Sequence, residues 1–436
     1  MNTHIDAEEV DPLFNIVYIV SEYYLNSGDF NGMSFRALAE SVGEEIAIEE
    51  KMVELIRDDA LFISHSKFVI NPHIIMYPPE SIETQLGLIA SGELKSAVLY
   101  PTARVLQKIV DTSRYAHTPL RLYLALGNPQ LGVVLFYPSV LEQYRNDPRY
   151  LYETDDIVGR LVISDEYFET ADVPESDQII LSRFGFAVSK TGHRAVAAML
   201  RDLANLSDEH QQIWHARAIP SELVEKHHFH LIKEYQQVLN GERRQRCSLT
   251  TAFMYEMNAI NEICNATYKK RIFNRDWIDG FARLSGLTMM LSPTIREYHN
   301  FIHLLDKILS DNINKKFFEG HVSFERETAL ADGRIKVENK GTLALLKEWL
   351  GIDFPREGAR ISTIMASLNR VRKERQKPAH TIEMDKFDPS LWAAQRSLLA
   401  EAHGGLKALR QLLSDNLSFS LSGSTHRQVN MPISDD

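Results

Sequence analysis

Leu13, Ile16, Val17, Val20, Tyr23 and Tyr24 recur at the spacing of one buried helix face. Ser34 stands where an N-cap is needed for a helix over 35–42, and Gly43 ends that helix. A further helix is predicted over 48–60, followed by short strands at 61–64 and 67–71 around a turn. Residues 72–79 begin and end with proline and read as a linker. The pattern then changes. Apolar runs at 120–126, 132–136, 158–163 and 178–188, bounded by Gly, Pro and Asp, predict strands. Asn128-Pro129 and Asn146-Asp147-Pro148 mark turns. The stretch 193–206 predicts a helix packed on that sheet. Beyond Pro220 the helical period dominates, at 221–240, 248–273, 295–318, 341–350, 359–376 and 389–416. A polar interruption at 323–340 contains the turn signal Asp332-Gly333. Residues 417–436 are rich in Ser with little to bury, which predicts disorder.

These elements predict an α+β multidomain protein that is mainly helical. The expected order is a winged-helix-like unit over 1–80, an α+β middle domain over 81–235, a helical region over 236–416 and the tail. Three helices followed by a β-wing is the winged-helix order. In DNA-binding versions the third helix enters the major groove. Here that helix carries or adjoins Glu44, Glu45, Glu49, Glu50, Glu54, Asp58 and Asp59, against Lys51 and Arg57. So many carboxylates repel phosphate. The unit is therefore expected to contact protein, as a regulatory module, and a DNA-binding regulator is the weaker alternative.

The net charge of −11 over 436 residues argues against a protein that coats nucleic acid with its whole surface. A local basic site remains open: residues 370–377 hold five Lys or Arg against one Glu. Cys247 and Cys264 make no disulfide framework and no cysteine-based zinc site. That suits a cytoplasmic location. The acidic N-terminal stretch is not a secretory signal, and no run approaches the roughly 20 apolar residues of a membrane helix.

Several clusters have ordinary explanations. His227, His228 and His230 lie beside Glu225 but lack a His-Glu-x-x-His pattern, so a polar helix surface is expected and no metal. The loop from Gly127 to Gly132 lacks the Lys and Ser/Thr of a phosphate-binding loop and reads as a hairpin turn. His210 to Trp214 reads as a helix start after Ser207, with the Trp packed inward. Asp155-Asp156 and Asp165-Glu166 read as carboxylate pairs on exposed loops.

Arg375 and His380 are the best candidates for chemistry. An arginine holds phosphate with a planar fork, and a histidine moves protons near neutral pH. Residues five apart do not share a face of a continuous helix. They converge only if the helix ends or bends, and Pro378 supplies a reason for it to do so. The plain alternative is a basic last turn, favoured by the helix dipole by about 0.3–1 kcal/mol per cation.

Arg375-Gln376-Lys377-Pro378-Ala379-His380 resembles the signature of HEPN domains, an Arg, a polar residue, and a His four to six residues after the Arg. Gln376 departs slightly from the usual Asn, Asp or His. The helices over about 293–416 resemble the family's bundle, and the first two thirds of the chain resemble no family. The resemblance implies a metal-independent endoribonuclease without a cofactor. The ribose 2′-hydroxyl would attack the adjacent phosphate, His380 would exchange a proton, and Arg375 would stabilise the transition-state charge. Arg372, Lys373, Gln376 and Lys377 would hold flanking RNA, and Asn369 would orient a phosphate or the His. The resemblance also implies a homodimer, in which two Arg/His pairs face one cleft, and a role as toxin or antiphage effector. The alternative is a non-catalytic RNA-binding or dimerisation module.

Overall fold

A computed structural model describes residues 12–42, 45–65, 80–170, 172–275, 286–329, 335–376, 384–417 and 419–435. The described residues are mixed α and β with helix predominating, at 56%. It divides into two compact units. The first comprises 1–136, 166–182 and 197–219, and the second 137–165, 183–196 and 220–436.

The first unit begins with helices Pro12–Asn26, Phe35–Val42 and Glu45–Arg57. Ile16, Val20, Phe35, Leu38, Ile48, Met52 and Leu55 pack together from their inner faces. The third helix stops where Asp59 takes a left-handed backbone (φ 52°) and Ala60 N–H bonds back to Leu55 O at 2.8 Å. Its acidic Glu50, Glu54, Asp58 and Asp59 face solvent. A three-stranded antiparallel sheet covers this helical layer. Ala97–Pro101 is central, between Met33–Ser34 and Leu61–His65, with Leu99 opposite both Met33 and Ile63. The partner of Leu61–His65 is thus Ala97–Pro101. The expected partner, 67–71, and the linker 72–79 lie outside the described residues. Gln85 covers the other side of Leu61–His65. It is buried, accepts from Ile63 N at 2.9 Å and donates to Glu80 O at 2.9 Å. The Ile63 N–H, which points away from Ala97–Pro101, is satisfied in this way.

The run at 120–126 is a helix, Pro119–Ala125, and not a strand. Pro119 at its first turn pre-sets the backbone angle for a helix. The turn at Gly127 consequently joins helix to strand Val133–Phe136 instead of closing a hairpin. Asp208–His215 forms the expected helix, with Trp214 fully buried against Phe136 at 4.9 Å between ring centres.

In the second unit, Tyr150–Thr154 and Val158–Ile163 form an antiparallel hairpin next to Ile180–Val188. Of the helix predicted over 193–206 only Leu200–Ala204 is helical, and Arg194–Met199 is the next strand. Its alanines suit a helix by propensity, but Ala195 to Ala198 are wholly buried, so packing overrides propensity. The amphipathic stretch 221–240 is broken into helix Ser221–Lys226, strand His230–Leu231 and helix Lys233–Leu239. His228, at φ 50°, makes the break. Gly185 permits Tyr235 to lie flat on the sheet: a Cβ there would sit 2.2 Å from the ring.

Asp155 and Asp156 are structural anchors, contrary to the expectation of an exposed pair. Asp155 is buried, caps Ile157 N and Val158 N, and pairs with Arg244 at 2.5 Å. Asp156 adopts φ 69°, and its carboxylate accepts from Met289 N at 2.8 Å and Thr250 Oγ at 2.7 Å.

The rest of the unit is a helical bundle. Leu249–Tyr268 and Gly358–Gln376 both pack on Ser390–Leu417, and Ile295–Asp306 and Thr342–Asp353 pack on Gly358–Gln376. Phe253, Ile260, Leu305, Trp349, Ile364, Leu368, Leu406 and Leu409 lie in its core. The expected helix 295–318 is Ile295–Asp306, continued by a π-type turn over Lys307–Asp311 and a 3₁₀ turn over Lys315–Phe318. The polar interruption is an exposed hairpin of Glu325–Ala329 and Ile335–Asn339, and its Asp332-Gly333 turn lies outside the described residues. The tail is ordered, contrary to prediction. Helix Gly423–Val429 packs on Leu249–Tyr268, with Ser422 N and Thr425 Oγ both on the Glu262 carboxylate. Cys247 N donates to Pro432 O at 3.0 Å, and Ser434 N to Cys247 O at 2.8 Å. These polar partners hold the segment together with Phe419, Leu421 and Ile433, which pack against the bundle core. Among the described residues, no helix is long and apolar enough to cross a membrane.

Candidate functional site

The helix Gly358–Gln376 buries Ile361, Ile364, Met365, Leu368 and Val371 along one stripe. Arg375 stands four residues after Val371 and so continues that stripe past the edge of the core. There it meets Asp306, the last residue of Ile295–Asp306, whose inner face buries Phe301, Ile302 and Leu305. Arg375 donates through Nη1 to Asp306 Oδ2, and Ser310 Oγ donates to Asp306 Oδ1 at 2.9 Å. The Asp306 side chain is 1% exposed and that of Arg375 is 41% exposed. The carboxylate is therefore buried structure, while much of the guanidinium faces water. A buried carboxylate fixes the fork more firmly than an exposed ion pair would, because leaving it unpaired is costly.

Asn369, Arg372, Lys373 and Gln376 are three, four and seven residues apart, and form a neighbouring stripe of the same helix. Asn369 and Arg372 are half-buried, and Lys373 and Gln376 exposed. Arg370 does not join them, being drawn to Glu374 at 3.0 Å and Glu401 at 3.8 Å. The helix thus brings five of the candidate residues together at one end. Lys377 and His380, with the predicted break at Pro378, lie outside the described residues.

Asp306 was not among the sequence candidates. Its signal was present: an acid closing the apolar pattern 301, 302 and 305 falls on the buried face and needs a cation there. Glu256 and Arg410 were also missed. They form a buried pair between Leu249–Tyr268 and Ser390–Leu417, with Arg410 Nε to Glu256 Oε2 at 2.5 Å. The cluster of His227, His228 and His230 is spread over the break between two elements. Among the described residues, no group of three or more His, Cys, Asp or Glu is placed to hold a metal ion.

His403 lies on the same long helix as Arg410. Burial, and then the charges of Lys407 and Arg410, hold its pKa down to about 4. In the unfolded chain the imidazole takes up a proton near its ordinary pKa of about 6.5. Between those two values the unfolded state binds the extra proton, so acid favours unfolding. Stability should thus be complete above pH ~6.5 and fall toward pH ~4, by at most about 3 kcal/mol from this group. His403→Gln should flatten that part of the profile in denaturant melts. An unchanged slope would remove His403 as its cause.

The chain matches no protein-family model, no curated protein and no solved structure.

Proposed function

We propose that the helical bundle over 293–416 is a HEPN-type domain that cleaves RNA without a metal. The observation that carries this reading is the Arg375 guanidinium, half in water yet held from behind by the buried Asp306. A charge stabiliser needs that combination: fixed in direction and open to substrate. Arg372, Lys373 and Gln376 on the adjacent stripe give flanking phosphates a place to bind, with Lys377 following in sequence. His380 is assigned the proton transfer. One imidazole does not readily serve both the attacking and the leaving oxygen, so the reading includes a twofold homodimer in which two Arg/His pairs meet. Residues 1–80, with helices Pro12–Asn26, Phe35–Val42 and the acidic Glu45–Arg57 followed by strand Leu61–His65, are read as a winged-helix-like regulatory module that contacts protein. A toxin or antiphage role fits a nuclease under such control.

The Arg375–Asp306 pair also favours a second reading. It is a sound way to tie two helices together, and a bundle held by it would serve as an RNA-binding or dimerisation module with no cutting activity.

The deciding experiment is incubation of the purified full chain with mixed-sequence RNA in EDTA. Cleavage should persist under chelation, leave 2′,3′-cyclic phosphate ends, and vanish in His380→Ala. Cutting that requires added magnesium, or that survives His380→Ala, would overturn the assignment.

A further inference from the structure

A cavity of about 50 Å³ lies within the second unit, away from Arg375. It is walled by the first turn of Leu249–Tyr268, by Trp392 to Leu399 of the long helix, by the Asp156 loop, by Arg194, and by Ser434 of the C-terminal segment. We propose that this cavity binds the carboxylate group of a small organic acid, with Arg396 as its principal anchor.

The lining polar groups are unequal in what they have left to offer. Asp156 spends both oxygens on Met289 N and Thr250 Oγ. Gln395 accepts from Met290 N at 3.2 Å and donates to Thr288 O at 2.9 Å. The Trp392 indole donates to Met290 O at 2.8 Å. Arg396 differs. Its Nη2 donates to the neutral Ser434 carbonyl at 3.0 Å, and among the described residues it pairs with no carboxylate. A guanidinium has five donors, so most of its fork is available.

The charge balance points the same way. Among the lining residues Arg194 and Arg396 are cations and Asp156 is the one carboxylate. Burial raises the Asp156 pKa, and the charge of Arg194 is among the influences that oppose that rise. The cavity also opens at the start of a 20-residue helix, capped by Ser248, whose N-terminal field favours an anion. None of these features alone defines a ligand. Together they place an arginine fork, a helix N-terminus and a sized space at one point.

Size and polarity narrow the class. At roughly 10–15 Å³ per water, the space holds about three to five waters, the volume of a carboxylate with a short stem. Leu249, Leu287 and Leu399 form an apolar side of the wall. A tetrahedral phosphate would turn oxygens toward that side and leave them unpaired. A carboxylate puts both oxygens on the arginine fork and its stem against the leucines. Half-buried Arg194, Trp392 and Arg396 leave a route to solvent.

The inference is independent of the RNA-cleaving reading, and so is its test. The full chain is titrated with propionate, and in parallel with inorganic phosphate, by calorimetry. One saturable propionate site is expected in the millimolar range, near 1 mM to order of magnitude. Arg396→Gln should weaken it about tenfold or more, the loss of one charge-assisted bidentate contact. Arg396→Lys keeps the charge, loses the fork, and should fall between. Circular dichroism melts establish that each variant is folded, and the lysine variant carries the comparison if the glutamine variant is not. Propionate heats that never saturate, phosphate binding tighter than propionate, or full affinity in a folded Arg396 variant would each overturn the proposal.

Discussion

Arg410→Met should destabilise the helical bundle by about 3–5 kcal/mol, the usual consequence of removing one partner of a buried ion pair. The side chains of Glu256 and Arg410 are 1% and 11% exposed. Arg410 gives Nε to one carboxylate oxygen at 2.5 Å and Nη2 to the other at 3.3 Å. Without it, Glu256 remains between two helices in a core of leucines and phenylalanines. Burial already raises the Glu256 pKa, and Arg410 is the chief group opposing that rise. The variant's carboxyl should therefore take up a proton more readily, which limits the loss. The sign follows: a raised folded pKa gives stability that is present in acid and lost as pH rises through that value. Arg410→Met should thus be least damaging at low pH and most damaging near neutrality. Replacing Glu256 and Arg410 together by methionine should recover most of the loss, because the desolvation of both charges disappears with their attraction. Urea unfolding of the single and double variants at two pH values measures all of this. A single-variant loss under about 1 kcal/mol would mean that water reaches Glu256.

The long helices were legible because their burial is one-sided. Leu398, Leu399, Ala402, Leu406, Leu409 and Leu413 repeat at helical spacing over Ser390–Leu417 and face one core. Arg194–Met199 was not legible. A strand buried on both faces loses its alternation and reads like any other alanine-rich run. The partner of Leu61–His65 was missed for a related reason. Ala97–Pro101 is buried at all five positions, and a helix intervenes between the two strands. The ordered tail had only a sparse, aperiodic apolar signal in Phe419, Leu421 and Ile433. Glu262, Glu234 and the Cys247 backbone also hold it, and those partners lie 160 to 200 residues away. The candidate site divides the same way. The basic stripe from Asn369 to Gln376 follows from helical spacing. The carboxylate behind Arg375 comes from another helix, 69 residues distant, and only folding brings the two together.

Arg375→Lys should separate the chemical role of Arg375 from its structural one. Lysine can still meet the Asp306 carboxylate, so the melting temperature should stay within a few degrees of the wild type. It lacks the planar fork that would hold two phosphate oxygens, so RNA cleavage in EDTA should slow at least tenfold. Arg375→Ala should slow it further, by about 10²–10³, the range for losing a fixed transition-state donor. That variant should also lose about 1–3 kcal/mol of stability, since Asp306 is left without its cation. Asp306→Asn gives the complementary result. It keeps the shape and a hydrogen bond to the guanidinium but frees its direction, so cleavage should fall while Arg375 remains present. The lysine variant decides between the two readings. A wild-type protein that cuts RNA and an Arg375→Lys protein that cuts equally well would leave Arg375 only as a tie between helices. Slower cutting at an unchanged melting temperature would mean that the tie exists to aim the guanidinium.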